Sequence, residues 1–274
     1  MSTNLLAVLV LNTAGIRRIL PRLLLALLAV LSAVRGSGIA SQAIDLPWND
    51  ARQLVLVTTA DWDADHGVMR TFIRTKSGWR PAAAAVPVTI GRSGSAWGLG
   101  LHPKRPGPVK REGDGRSPAG VFRIGVAFGY AKSARTALPY VPMRASHYCI
   151  DVSVSPLYNR IVDAREVGEP AVAGSTEPMR RDLHADGDQV YEVGFVIEHN
   201  RDAQAGAGSC IFAHLWRTAG APTVGCTAMA EPAIRDLLTW LRPEAHAIFV
   251  LLPEGEYTRV RAEWQLPDSA VRSR

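Results

Sequence analysis

Two side chains in the last quarter of the chain have the types and spacing of a nucleophile and its base. Ser209-Cys210-Ile211-Phe212-Ala213-His214 has the pattern of a strand, and a connection containing Gly220, Pro222 and Gly225 leads from it to Cys226. A thiol is a strong nucleophile as thiolate, and a nearby imidazole can take its proton and hold the resulting ion pair. About a dozen residues separate His214 from Cys226, enough for the chain to return to the same end of a sheet. Gly225 permits a tight turn, which would let main-chain N–H groups at Gly225, Cys226 and Thr227 face a developing oxyanion. Thr223 is expected to shape this loop, either by capping the turn or by hydrogen-bonding a substrate. A buried core cysteine and a satisfied surface histidine would give the same spacing, so the pair by itself leaves both readings open.

The remaining candidates are weaker. Asp61-x-Asp63-x-Asp65 resembles a calcium loop, but Gly67 falls one place late and Phe72 stands where a coordinating acid is needed, which favours an exposed hairpin turn. His66, His102, His147, His184 and His246 show no metal-ligand spacing, so neither a metal nor a cofactor is expected. His147 lies near Asp151 in sequence and is a candidate for lining a substrate cleft, against the alternative of a core or surface histidine. Glu112, Asp114 and Arg116 either border a groove or form a solvated turn.

Short apolar or alternating runs must position these groups. Leu54–Thr58, Met69–Arg74, Val86–Ile90, Gly120–Val126, Tyr148–Val152, Val190–Glu198, Ser209–Leu215 and Ala247–Leu252 have the lengths and the Val, Ile, Phe and Tyr content of strands. After Glu231-Pro232, the spacing of Ile234, Leu237, Leu238 and Leu241 predicts a helix opened by proline. Glu177–Leu183 is a second helical candidate. With 24 Gly and 18 Pro among 274 residues, the chain is broken into pieces that favour strands and turns. We expect a mainly β protein, with residues 41–274 forming a single β-rich domain.

Around the His/Cys pair the sequence resembles a known family. Phe212 to Met229, with His214 followed by Thr223-x-Gly225-Cys226, is similar to the signature of the L,D-transpeptidase catalytic domain, the YkuD family. Upstream, Glu112-Gly113-Asp114-Gly115-Arg116-Ser117-Pro118-Ala119-Gly120-Val121-Phe122 resembles that family's acidic glycine turn leading into a strand. Gly129-Tyr130, Asp151, Tyr158-Asn159, Val162-Asp163, Glu177-x-Met179-Arg180, His199-Asn200 and Gly208-Ser209 follow in order, so the resemblance covers about residues 86–252. Two positions depart from the common pattern: Leu215 replaces the glycine after the histidine, and Ala228 replaces a basic or Asn residue two places after the cysteine.

The resemblance implies a β-sandwich-like domain with one or two short helices and a catalytic cysteine in a cleft at one end of the sheet. It implies that Cys226 attacks the carbonyl of the L-centre of meso-diaminopimelate in a peptidoglycan tetrapeptide stem and releases D-alanine. A diaminopimelate amine from another stem would then take the acyl group, giving a 3–3 cross-link, with His214 as base and then acid. Water in place of the amine would make the enzyme an L,D-carboxypeptidase. A non-catalytic peptidoglycan-binding protein is the alternative outside enzymology, and the presence of both His214 and Cys226 argues against it.

Charge and cysteine usage bear on location. The net charge is +6, but residues 1–40 hold four arginines and no acid, so only +2 belongs to the rest, where no basic stripe suggests nucleic-acid binding. Arg17, Arg18 and Arg22, the apolar run Leu23 to Val34, and Gly38-x-Ala40 have the layout of a secretory signal; Arg17-Arg18 also weakly resembles a twin-arginine motif. The alternative is a retained N-terminal membrane anchor, although the run is short for a span. Either reading predicts an exported protein of the periplasm or cell envelope. In an oxidising compartment Cys149 and Cys210 are candidates for a disulfide, with two buried thiols as the alternative.

Overall fold

A computed structural model describes residues 45–268, which belong to one compact unit. The N-terminal basic and apolar segment lies outside the described residues. In chain order the elements are β1 (Gln53–Thr59), β2 (His66–Thr75), β3 (Gly78–Pro81), β4 (Val86–Thr89), β5 (Ser95–Trp97), β6 (Ser117–Gly129) and β7 (Tyr140–Pro142). A middle section follows with β8 (His147–Cys149), β9 (Ile161–Asp163), α1 (Ala164–Val167), α2 (Glu169–Val172), β10 (Glu177–Pro178) and α3 (Arg181–His184). The last part holds β11 (Val193–Ile197), β12 (Phe212–Leu215), β13 (Thr227–Met229), α4 (Glu231–Trp240), β14 (Ile248–Pro253) and α5 (Glu254–Val260).

The protein is mainly β, with short helices. Its principal sheet closes on itself in the order β1-β14-β6-β11-β12-β13-β4-β2, with β2 pairing back onto β1. This is an eight-stranded barrel, where a sandwich-like pair of sheets was expected. The reason lies in the long strands. β2 pairs antiparallel with β1 along its length and with β4 through His66–Met69. β6 pairs with β14 through Gly120–Arg123 and with β11 from Ile124 onward. β6 offers its first half to β14 and its second to β11, which staggers the strands, and a register shift between Phe195 and Ile197 adds curvature, so that the sheet closes through the pairing of β1 with β2.

All seven residues of β1 and all six of β14 are buried, which requires cover on the outer face as well as inside the barrel. The helix expected after Pro232 is α4, burying Ile234, Leu237 and Leu238 in the main core, with Leu241 just beyond its end. The second helical candidate is mostly different: Glu177–Pro178 is the strand β10, pairing with Tyr148 and Cys149, and only Arg181–His184 is helical. β12 starts at Phe212 and not at Ser209, because Cys210 adopts a positive φ of 57° and cannot extend a ladder.

β8, β9 and β10 form a separate small sheet, in the order β10-β8-β9. It is fixed to the barrel by a disulfide between Cys149 of β8 and Cys210 just ahead of β12, with Cα atoms 5.9 Å apart. The Asn159 side chain reinforces the join, accepting from the Cys210 N–H and donating to the carbonyls of His199 and Asn200. A second apolar cluster lies between the two sheets and includes Phe128, Cys149, Met179, Tyr191, Phe212 and Cys226.

Candidate active site

Cys226 is the free cysteine, 5 % exposed, at the end of the loop entering β13. That loop is stitched from several sides. The Thr223 hydroxyl donates to the Cys226 carbonyl at 2.7 Å and accepts from the Gly225 N–H at 3.0 Å. The fully buried Ser117 hydroxyl, at the start of β6, reaches the carbonyls of Gly225 and Cys226 at 2.7 and 3.0 Å and accepts from the Gly91 N–H. Gly225 has φ of 154°, and a Cβ there would meet the Arg116 carbonyl at 3.2 Å, so the turn requires glycine.

These contacts correct part of the oxyanion expectation. The Gly225 N–H is committed to Thr223, and Thr227 lies within the β13 ladder opposite Ala213. The Cys226 N–H remains as the candidate main-chain donor. Thr223 is a turn cap that also lines the cavity beside Cys226.

His214 and Cys226 open onto the same cavity of about 450 Å³, together with Tyr191, Glu177, Arg181 and Arg217. Nδ1 of His214 lies 2.7 Å from the Leu215 carbonyl, which can only accept, so Nδ1 carries a proton and Nε2 of the neutral ring is the basic nitrogen. The sulfur itself accepts from the Phe212 N–H at 3.3 Å and donates to the Cys210 carbonyl at 3.4 Å. Those are its partners in the resting cleft, in place of the imidazole.

The electrostatics agree with this neutral arrangement. Burial pushes the Cys226 thiol up to about 12, and the negative charge of Glu177 adds to the effect. Burial also lowers the His214 imidazole to about 4, against smaller opposing effects of its bond to Leu215 and the charge of Asp188. A preformed thiolate–imidazolium pair was expected; burial instead favours a thiol and a neutral imidazole, because both sit where a lone charge loses hydration.

A second cavity of about 330 Å³ meets the first at Cys226. It is lined by Lys110, Glu112, Asp151 and Ser209, and it shares Arg92, Thr176, Glu177, Val224 and Cys226 with the other. Glu112 accepts hydrogen bonds from Tyr158 and Ser209, whereas Asp114 and Arg116 build the turn: Asp114 pairs with Lys110 at 2.6 Å and Arg116 with Asp63 at 2.7 Å. Asp61 accepts from the main-chain N–H groups of Asp63 and Ala64, so the acidic loop is an ordinary turn.

The structure does not bring His147 to the cleft. Its Nδ1 accepts from the Arg144 N–H at 2.9 Å, Nε2 lies 4.0 Å from Asp163, and it lines neither cavity at Cys226. It opens β8 opposite Asp163 of β9, and that neighbour holds it there. Conversely, Tyr191, Ser117 and Arg92 were not singled out by sequence reasoning. Ser117 and Glu177 stand inside recognisable motifs, but nothing local shows that they converge on Cys226. No family model, curated protein or solved structure matches the chain, so the reading of the site rests on its own chemistry and on the sequence resemblance.

Proposed function

We propose that this is an exported cysteine acyltransferase of the L,D-transpeptidase type, acting on the peptide stems of peptidoglycan. The observation that carries the reading is the free thiol of Cys226 where two cavities meet, on a wall shared with a histidine whose tautomer leaves Nε2 basic. The barrel and its small sheet are then this family's catalytic domain, in a closed form. Two cavities meeting at one sulfur suit a reaction in which a donor and an acceptor reach the same thioester in turn. The disulfide suits an oxidising compartment.

In this reading, Cys226 passes its proton to His214 Nε2 as the sulfur bonds to the stem carbonyl. The Cys226 N–H stabilises the oxyanion, and His214 returns the proton to the departing D-alanine amine. The acceptor amine attacks the thioester, gives its proton to His214, and the thiol is restored. The acyl group stays activated as thioester throughout, so the transfer needs no cofactor.

Tetrapeptide muropeptides incubated with the protein and analysed by mass spectrometry test this. Cross-linked dimers that disappear with Cys226→Ala support transpeptidation, and tripeptides alone indicate carboxypeptidation. Unchanged muropeptides at all enzyme concentrations refute the catalytic reading.

A further inference from the structure

Arg92 is a cation that the reaction above does not use. Its main chain is clamped between two segments of the site. On one side the Arg92 N–H donates to the Thr223 carbonyl at 2.8 Å, and the Thr223 N–H donates to the Ile90 carbonyl at 2.8 Å, in the loop that ends at Cys226. On the other side the Gly91 N–H donates to the Ser117 hydroxyl at 2.9 Å, and the Ser93 N–H donates to the Gly115 carbonyl at 3.1 Å. The approach is so close that a Cβ at Gly91 would overlap the Gly115 carbonyl. The backbone of Arg92 is therefore fixed relative to the loop that carries the nucleophile.

The same glycine turn places the side chain. A Cβ at Gly115 would lie 3.3 Å from Arg92 Nε and 3.4 Å from its Cγ, so the arginine stem runs across a bare glycine. From there Arg92 lines both cavities that meet at Cys226. The other cations in those walls are committed. Arg181 and Arg217 share Asp188 at 3.0 and 2.7 Å, and Lys110 is tied to Asp114 at 2.6 Å. Among the described residues, no carboxylate pairs with Arg92, which is exposed. A guanidinium is a planar fork of donors whose geometry matches a carboxylate. Held on a fixed backbone with no competing acid, this one is organised for such a ligand before the ligand arrives.

We propose that Arg92 is a substrate-binding residue: it takes a carboxylate on one of the two residues joined by the bond that Cys226 attacks, and so selects peptides in which that carboxylate is free. The identity of the peptide rests on the acyl-transfer reading. In the stem which that reading names, the two residues offer the terminal carboxylate of D-alanine and the side-chain carboxylate of diaminopimelate. Amidation of the group that Arg92 holds removes the charge and one acceptor from the fork, and binding weakens.

The test is isothermal titration calorimetry on Cys226→Ala and Cys226→Ser, in which binding is read without turnover through the thiol. Three tetrapeptides are compared: the free acid, the form amidated at the D-alanine terminus, and the form amidated at the diaminopimelate side-chain carboxyl. One amide is expected to bind about tenfold or more weakly than the free acid, and which one it is identifies the carboxylate. Arg92→Gln in the same backgrounds is expected to bind the free acid as weakly as that amide and to distinguish the two no longer. Arg92→Lys, which keeps the charge and loses the fork, is expected to fall between. The bonds that hold Arg92 in place are made by its main chain, so these variants keep the fold. Equal binding of all three peptides by protein that retains Arg92 overturns the proposal, as does the absence of binding, or a discrimination that survives in Arg92→Gln. Discrimination through Arg92 in a protein whose wild type leaves muropeptides unchanged would refute acyl transfer and keep the carboxylate site; muropeptide processing with no discrimination would do the reverse.

Discussion

At the scale of single residues, burial favours the neutral forms of both the nucleophile and its base. Because burial holds the His214 imidazole near 4, it remains an unprotonated acceptor through the whole neutral range, unlike an exposed histidine titrating at 6.5. The resemblance implies that a carbapenem mimics the acyl donor and traps Cys226 as a thioester. Intact-protein mass spectrometry should therefore find one adduct, at Cys226, whose rate of formation has its acid limb well below pH 6.5. His214→Ala should slow that acylation by about 10²-fold or more while the fold persists, as expected for loss of a positioned base. An adduct that forms equally fast without His214 would show that the imidazole takes no part. Leu215 also acquires a reason: its carbonyl fixes the ring, a task that main chain performs whatever the side chain is, so the absence of glycine there costs the dyad nothing.

At the scale of elements, the nucleophile depends on parts that are distant in sequence. Ser117 at the head of β6 grips the Cys226 loop, and the Cys210 carbonyl accepts a hydrogen bond from the thiol while the Cys210 side chain ties down the small sheet. The disulfide closes a loop of 61 residues, worth roughly 4 kcal/mol in the chain-entropy account. The double variant Cys149→Ser/Cys210→Ser should therefore melt about 10 °C lower, and thiol counting on denatured, unreduced wild type should find one free thiol. Three free thiols would remove the link. The elements also explain what could be read beforehand. β1, β6, β14 and α4 are long, continuous and apolar on a consistent face, so composition and period locate them. β3, β5, β7, β9, β10 and β13 have two to four residues each and exist only because a neighbour supplies their hydrogen bonds. Glu177–Leu183 looks helical locally, yet pairing with β8 captures its first residues. His214 and Cys226 stand out through a local motif, whereas Glu177, from the small sheet, and Tyr191, just ahead of β11, share a cavity with Cys226 only once the chain has folded, which no local pattern encodes.

At the scale of the whole molecule, burial of neutral histidines links stability to pH. His102, His199 and His214 are at most 9 % exposed, and burial lowers each to about 4. His102 lies among Trp97, Phe122 and Trp264 and accepts the Val121 N–H; His199 accepts from Leu99 and faces Phe122. In the unfolded chain these rings titrate near 6.5. Above that pH both states are neutral and the stabilisation is fully present. As pH falls from 6.5 toward 4, the unfolded state gains protons that the folded state refuses, and stability is lost. Three such groups give a slope approaching about 4 kcal/mol per pH unit near pH 5, against a typical total of roughly 5–15 kcal/mol. Carboxylates held low by arginine partners, among them Asp163, Asp182 and Asp188, weaken the fold only at lower pH, below about 3.8. Glu177, raised by burial, acts in the opposite direction. Urea denaturation at pH 7.5, 6 and 5 should show the midpoint falling steeply between the last two, before the carboxylates titrate. His199→Gln, which removes one titrating ring and keeps a polar side chain, should flatten that fall by about a third in a protein that still folds. A stability unchanged from pH 7.5 to 5 would mean that the rings take up protons in place, and that the interior around Cys226 is wetter than its burial implies.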